Sequence, residues 1–239
     1  MKIHKLKKIS FVHGWLFGSY IWDDIKRYFS SADNLEMLSM PGYDHHETKA
    51  DRTNIIDSLL VREEENSLII AYSYAATSIL FNRHMNDCKS TVLLINPFIK
   101  PKTSSVNVLL ENINSDFDNT IKKFIYNSVK SSNNHLCDYR KLINLFYDNP
   151  IPSLEVLNSE LRDLLTADIS QVSVCESSNI RVLLSEDDEV ADSKYTAQLE
   201  SMNFSISKLD KSAHYPFFDF DKIYDIITVS YTHLTLPTT

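Results

Sequence analysis

Glycine is scarce in this chain of 239 residues, which holds three, at Gly14, Gly18 and Gly42. Each is therefore expected where the backbone demands it, and all three follow predicted strands. Cysteine is equally sparse. Cys88, Cys137 and Cys175 lie tens of residues apart with no CxxC spacing, which excludes a disulfide framework and a cysteine zinc site and points to a reducing cytosol. Positive charge is in deficit, with 24 lysines and arginines against 32 acids and a net charge of −8. That balance excludes the broad basic face of a nucleic-acid binder. No segment reaches the roughly 20 apolar residues of a membrane span. Met1 to Lys8 carries four lysines ahead of fourteen uncharged residues, Ile9 to Trp22, but His13, Gly14, Trp15, Gly18, Ser19 and Tyr20 interrupt that run and no small-x-small cleavage site follows, so it is not read as a signal peptide. The remainder, 43% hydrophobic and 23% charged, is the composition of an ordinary soluble globular protein.

Apolar runs supply the fold class. Ile9 to Val12, Leu35 to Ser39, Ser67 to Ala71, Thr91 to Ile95, Ile180 to Leu184 and Phe204 to Leu209 read as strands. Several are near-continuously apolar, as strands of a parallel sheet covered on both faces are. Helical patterns alternate with them at Tyr20 to Ser30, Asn54 to Glu65, Ala75 to His84, Ala191 to Met202 and Phe217 to Thr228. Between about 100 and 170 the texture is helical throughout. The expected architecture is α/β: a mostly parallel sheet flanked by helices, built from residues 1–99 and 171–228, with a helical cap inserted over 100–170. Residues 229–239 read as a frayed tail of non-native character, and His233 is set aside with them.

Ala71-Tyr72-Ser73-Tyr74-Ala75 is small-x-Ser-x-small where a buried strand meets a helix, the context of a nucleophile elbow. Both usual glycines are alanines, which fit if neighbouring strands leave room for a methyl. Phe11-Val12-His13-Gly14-Trp15 ends another strand, and the N–H groups of Trp15 and Tyr74 are candidates for an oxyanion hole. A serine needs a base, and histidine suits that task. Of eight histidines, His4, His45, His46, His84 and His135 lie in polar surroundings, whereas His214 follows the last predicted strand. The loop Ser185-Glu-Asp-Asp-Glu-Val190 follows another strand and offers a carboxylate to orient it. Serine, acid, histidine is the chain order of the α/β-hydrolases, each residue at the C-terminal end of a strand. Such a site needs no cofactor and no metal.

The segments His13-Gly14-Trp15, Pro41-Gly42-Tyr43, the Ser73 elbow, Leu157-Asn158-x-x-Leu161-x-x-Leu164 with Thr166-x-Asp168, the acidic loop and Ala213-His214-x-Pro216-Phe217 together resemble the pimeloyl-acyl-carrier-protein methyl ester esterases of biotin synthesis. The likeness spans roughly residues 8 to 228. It implies Ser73 as nucleophile, His214 as base, Asp188 rather than Asp187 as the acid, and Trp15 and Tyr74 as oxyanion donors. Ala71, Ala75, Ser185 and Asp192 depart from the family pattern. The resemblance also implies a basic cap surface for an acidic acyl-carrier protein. Lys122, Lys123, Lys130, Arg140 and Lys141 against Asp138 give residues 121–141 a local charge of +4 within the −8 chain, which would steer such a partner. A monomer is expected. A broader esterase, thioesterase or carbon-carbon hydrolase, or a catalytically inactive binding protein, are the alternatives the same residues allow.

Overall fold

The computed structural model describes residues 6–30, 32, 34–44, 52–62, 66–172, 179–191, 196–202 and 204–234. His4, His45, His46, Cys175, Asp192 and residues 235–239 of the expected tail lie outside the described residues.

Six strands form one sheet: β1 (Lys8–Val12), β2 (Leu35–Leu38), β3 (Ser67–Tyr72), β4 (Thr91–Ile95), β5 (Ile180–Ser185) and β6 (Ser205–Leu209). Their order is β2-β1-β3-β4-β5-β6, and every pairing is parallel. This is the parallel sheet expected from the apolar runs. β3 is buried at every position, as its uninterrupted Ser-Leu-Ile-Ile-Ala-Tyr sequence requires of a strand covered on both faces.

Helices α1 (Arg52–Leu60) and α2 (Tyr74–Leu80) flank β3 in the chain. Between β4 and β5 the described residues form α3 (Thr103–Ser115), α4 (Phe117–Val129), α5 (His135–Tyr147) and α6 (Leu154–Leu164), with no strand among them. Helix α7 (Thr196–Ser201) precedes β6, and α8 (Phe220–Leu234) follows it. Two elements differ from expectation. The segment Ser19–Phe29 is a 3-10 helix rather than an α-helix, and α8 runs to Leu234, past the end expected at Thr228.

The chain leaves β1 towards β2 on one side and returns to place β3 on the other, so the direction of winding reverses between β1 and β3. Ligands of open α/β sheets bind at the carboxyl ends of strands at such a reversal. The register Val12↔Ala71 brings Gly14 and Ser73 to that point together.

Candidate active site

Ser73 follows directly on β3 and precedes α2, at φ 55 and ψ −118. A residue with a Cβ at positive φ carries strain of about 1–3 kcal/mol, which persists only where the surroundings enforce it. Here they do. The Ser73 N–H donates to Ile95 O at 2.8 Å, and a Cβ added at Gly14 would stand 2.9 Å from Ser73 Cβ and 3.0 Å from Tyr72 O. Ala71 and Ala75 are fully buried on either side, so the methyls that replace the elbow glycines are accommodated within the core.

His214 lies between β6 and α8, 1% exposed. Its Nε2 is 2.9 Å from Ser73 Oγ, and its Nδ1 is 2.7 Å from Asp188 Oδ2. With the carboxylate accepting the Nδ1 hydrogen, Nε2 is left as an acceptor for the serine hydroxyl. The other Asp188 oxygen accepts from the N–H groups of Val190 and Ala191, both at 2.8 Å. Asp187, by contrast, has an exposed side chain. The structure thus brings Ser73, His214 and Asp188 into one hydrogen-bonded line.

Asn96 belongs to this arrangement, although in the sequence Asn96-Pro97 marks no more than a strand end. It is buried at φ 48 just beyond β4. Its amide nitrogen donates to His214 O at 2.8 Å and to Ser185 Oγ at 3.0 Å, and its Oδ1 accepts from Ser185 N–H at 2.8 Å. One side chain therefore ties the histidine loop to the start of the acidic loop.

Tyr74 follows Ser73 in the chain, and Trp15 follows Gly14, which packs against the Ser73 elbow. Tyr74 opens α2, where the first N–H groups have no acceptor within the helix. Trp15 and Ser73 both line a cleft of about 860 Å³ whose walls include Phe98, Leu109, Phe124 and Leu161. An apolar wall of this kind suits an acyl chain. His13 is fully buried and does not line the cleft. Its Nδ1–H donates to Gly14 O at 2.9 Å and its Nε2 accepts from Met40 N–H at 3.0 Å. Burial, reinforced by the Arg52 charge, pulls its pKa down to about 3, so it is a neutral support for the turn.

The five basic residues are dispersed. Lys122 and Lys123 are exposed on α4, with Lys123 on the cleft wall, and Arg140 and Lys141 are exposed on α5, where Lys141 Nζ sits 5.4 Å from the centre of the Phe218 ring. Lys130 is ion-paired with Glu189 beside Asp188. Among the described residues no group of three or more histidine, cysteine or acidic side chains could hold a metal ion. No described helix is long and apolar enough to cross a membrane.

No family model matches the chain. It is 26% identical over 174 residues to the pimeloyl-[acyl-carrier protein] methyl ester esterase of Wigglesworthia glossinidia brevipalpis, a match taking in 66% of each protein and so just under two thirds of the relative's length. It is 22% identical over 223 residues, 86% of each chain, to the protein of the same name from Pectobacterium carotovorum subsp. carotovorum (strain PC1). Among solved structures, an esterase from Exiguobacterium antarcticum superposes with a TM-score of 0.75 at 14% identity, covering 94% of this chain and 91% of that one. The chain therefore has the fold of these hydrolases, and its similarity to curated proteins agrees with the family resemblance read from its motifs.

Proposed function

We propose that the protein is a serine carboxylesterase that hydrolyses the methyl ester of a pimeloyl chain borne on acyl-carrier protein, a step of biotin synthesis in the cytoplasm. The observation that carries this reading is the line Ser73 Oγ, His214 Nε2, His214 Nδ1, Asp188 Oδ2, with separations of 2.9 and 2.7 Å, at a cleft whose walls include Phe98, Leu109, Phe124 and Leu161. The names of the relatives support the choice of ester.

In this reading Ser73 Oγ attacks the ester carbonyl as its proton passes to His214 Nε2. The carbonyl oxygen takes the negative charge and faces the amides of Trp15 and Tyr74, each such donor contributing on the order of 3–4 kcal/mol to the transition state. Collapse of the adduct expels methoxide, which takes the proton from His214 and leaves as methanol. Water, deprotonated by His214, then attacks the acyl-serine, and the free acid departs as Ser73 Oγ takes that proton back from His214. Asp188 holds the imidazole in the required tautomer and stabilises its cation. Residues 100–170 act as a cap over the cleft, and the basic residues of α4 and α5 receive the acidic carrier.

Ser73→Ala is expected to remove nearly all ester hydrolysis while leaving the circular dichroism spectrum unchanged; full activity in that variant ends the proposal. Complementation of a biotin auxotroph lacking its methyl esterase tests the substrate. Efficient turnover of short p-nitrophenyl esters without complementation would favour a broader esterase instead.

A further inference from the structure

Leu16 is the residue after Trp15, and it adopts φ 79, a conformation unfavourable for leucine unless its surroundings impose it. Two sets of contacts reach this turn, and both lead to α6. The Leu16 N–H donates to the Tyr43 hydroxyl at 3.2 Å, and that hydroxyl donates in turn to Glu160 Oε2 at 2.7 Å. One turn earlier on α6, Leu157 O accepts from Trp15 Nε1–H at 3.0 Å. A third contact comes from the other side of the site, where the Tyr74 hydroxyl donates to Asp163 Oδ2 at 2.8 Å. Leu157, Glu160 and Asp163 follow the three-residue spacing that puts side chains on one face of a helix.

Glu160 is 4% exposed and ion-paired with Arg52 of α1. The Arg52 guanidinium also lies 4.8 Å from the centre of the Tyr74 ring. A buried ion pair is weak support for stability, because apolar residues of like volume commonly do as well. What the pair does here is fix the direction of the acceptor for Tyr43. The turn that carries Tyr43 is pressed against the same helix, since Gly42 sits at φ +83 and any side chain there would collide with Val156.

We propose that Tyr43 and Glu160 are positioning residues, which hold the Trp15-Leu16 turn so that the Trp15 amide faces the developing oxyanion. This rests on the reading of Ser73 as nucleophile and Trp15 as donor. Helix α6 thereby braces both donor residues, Trp15 through Leu157 and Tyr43, and Tyr74 through Asp163. The Tyr43 hydroxyl is the narrowest point of this connection. Losing it frees the Leu16 amide without emptying the ring's place beside His13, 4.5 Å away between centroids.

The test measures kcat and KM for a short p-nitrophenyl ester, with kcat expressed per site titrated by a fluorophosphonate. A misplacement near 1 Å costs about a hundredfold in rate and loss of one donor about a hundred- to a thousandfold. Tyr43→Phe is therefore expected to lower kcat per site about ten- to a hundredfold with KM within twofold. Glu160→Leu should do the same, while Glu160→Gln, which keeps an acceptor for the hydroxyl, should recover most of the rate. Tyr43→Phe combined with Glu160→Leu should be no worse than either alone. Unchanged kcat per site in Tyr43→Phe, a change confined to KM, or fewer titratable sites of normal turnover would each overturn the proposal. Ser73→Ala run alongside separates the two readings: residual turnover there fails the esterase assignment, whereas a dead Ser73→Ala beside a fully active Tyr43→Phe fails only the bracing role.

Discussion

Asp188 uses both of its oxygens, one at 2.7 Å from His214 Nδ1 and the other shared by the amides of Val190 and Ala191. The second set fixes the carboxylate plane, so the first is aimed and not merely near. An asparagine cannot satisfy both. Presenting its oxygen to His214 would drive its NH₂ against two N–H donors, and the reverse orientation would demand the wrong imidazole tautomer. Asp188→Asn is therefore expected to reduce kcat about a thousand- to ten-thousandfold with little change in KM. Asp187→Asn, altering an exposed side chain, should stay within threefold of the parent. Steady-state kinetics on the pair decide the matter, and equal losses would remove Asp188 from its assigned role.

Gly14 is the second point where geometry leaves no latitude. A methyl there would meet Ser73 Cβ at 2.9 Å and the Tyr72 carbonyl at 3.0 Å, both parts of the strained elbow. Gly14→Ala should push the serine off its line with His214. We expect a loss of about a hundredfold in kcat and of about 1–3 kcal/mol in urea unfolding. Retention of parental turnover per titrated site would show that the elbow yields without cost.

The main line of the site was legible because its parts are local. Ser73, the acidic loop and His214 each follow a predicted strand, and parallel strands point those ends to one edge; within that loop only the family resemblance singles out Asp188. Asn96 was not, because its partners lie 89 and 118 residues away and Asn-Pro reads equally well as a strand terminator. The pairing of Arg52 with Glu160 was hidden for a similar reason: a glutamate in Leu-Asn-Ser-Glu-Leu-Arg looks like the wet face of an amphipathic helix, and nothing near it in sequence announces a buried partner. Lys130 adds to the positive charge of residues 121–141 in the sequence, whereas in the fold Glu189, from the acidic loop itself, engages it. The sheet was readable from hydrophobicity, but the 3-10 geometry of Ser19–Phe29 was not, since its apolar positions also suit an α-helix.

The basic residues of α4 and α5 predict a split between substrates. Lys122, Lys123, Arg140 and Lys141 are exposed, so their effect on a carrier protein should be long-range attraction, screened beyond about 8 Å at physiological ionic strength. Changing Lys122, Arg140 and Lys141, which stand outside the cleft wall that Lys123 joins, to glutamate should raise KM for a carrier-borne ester at least tenfold and leave a p-nitrophenyl ester nearly unaffected. Raising salt on the parent protein should move KM for the carrier substrate in the same direction. Equal effects on both substrates would place these residues in the cleft's own chemistry and count against a docking role.

His13 and Glu160 predict opposite responses of stability to acid. Burial holds His13 neutral down to about 3, against 6.5 when exposed. Between those values the unfolded chain binds the extra proton, so His13 makes the fold lose stability as pH falls, by up to about 1.4 kcal/mol per pH unit. Burial also raises the Glu160 carboxyl from 4.5 to about 7, although Arg52 and the Tyr43 hydroxyl draw it down. There the folded chain keeps the proton longer, so acidification from 7 to 4.5 favours folding. The two slopes oppose each other from 6.5 to 4.5, and only the His13 slope continues below. The difference in unfolding free energy between the parent and His13→Gln, measured by urea titration at successive pH values, should therefore shrink steadily from pH 6.5 towards 3. A difference independent of pH would mean that the imidazole gains its proton in the folded chain as easily as in water, and that the turn behind Trp15 is wetter than its burial implies.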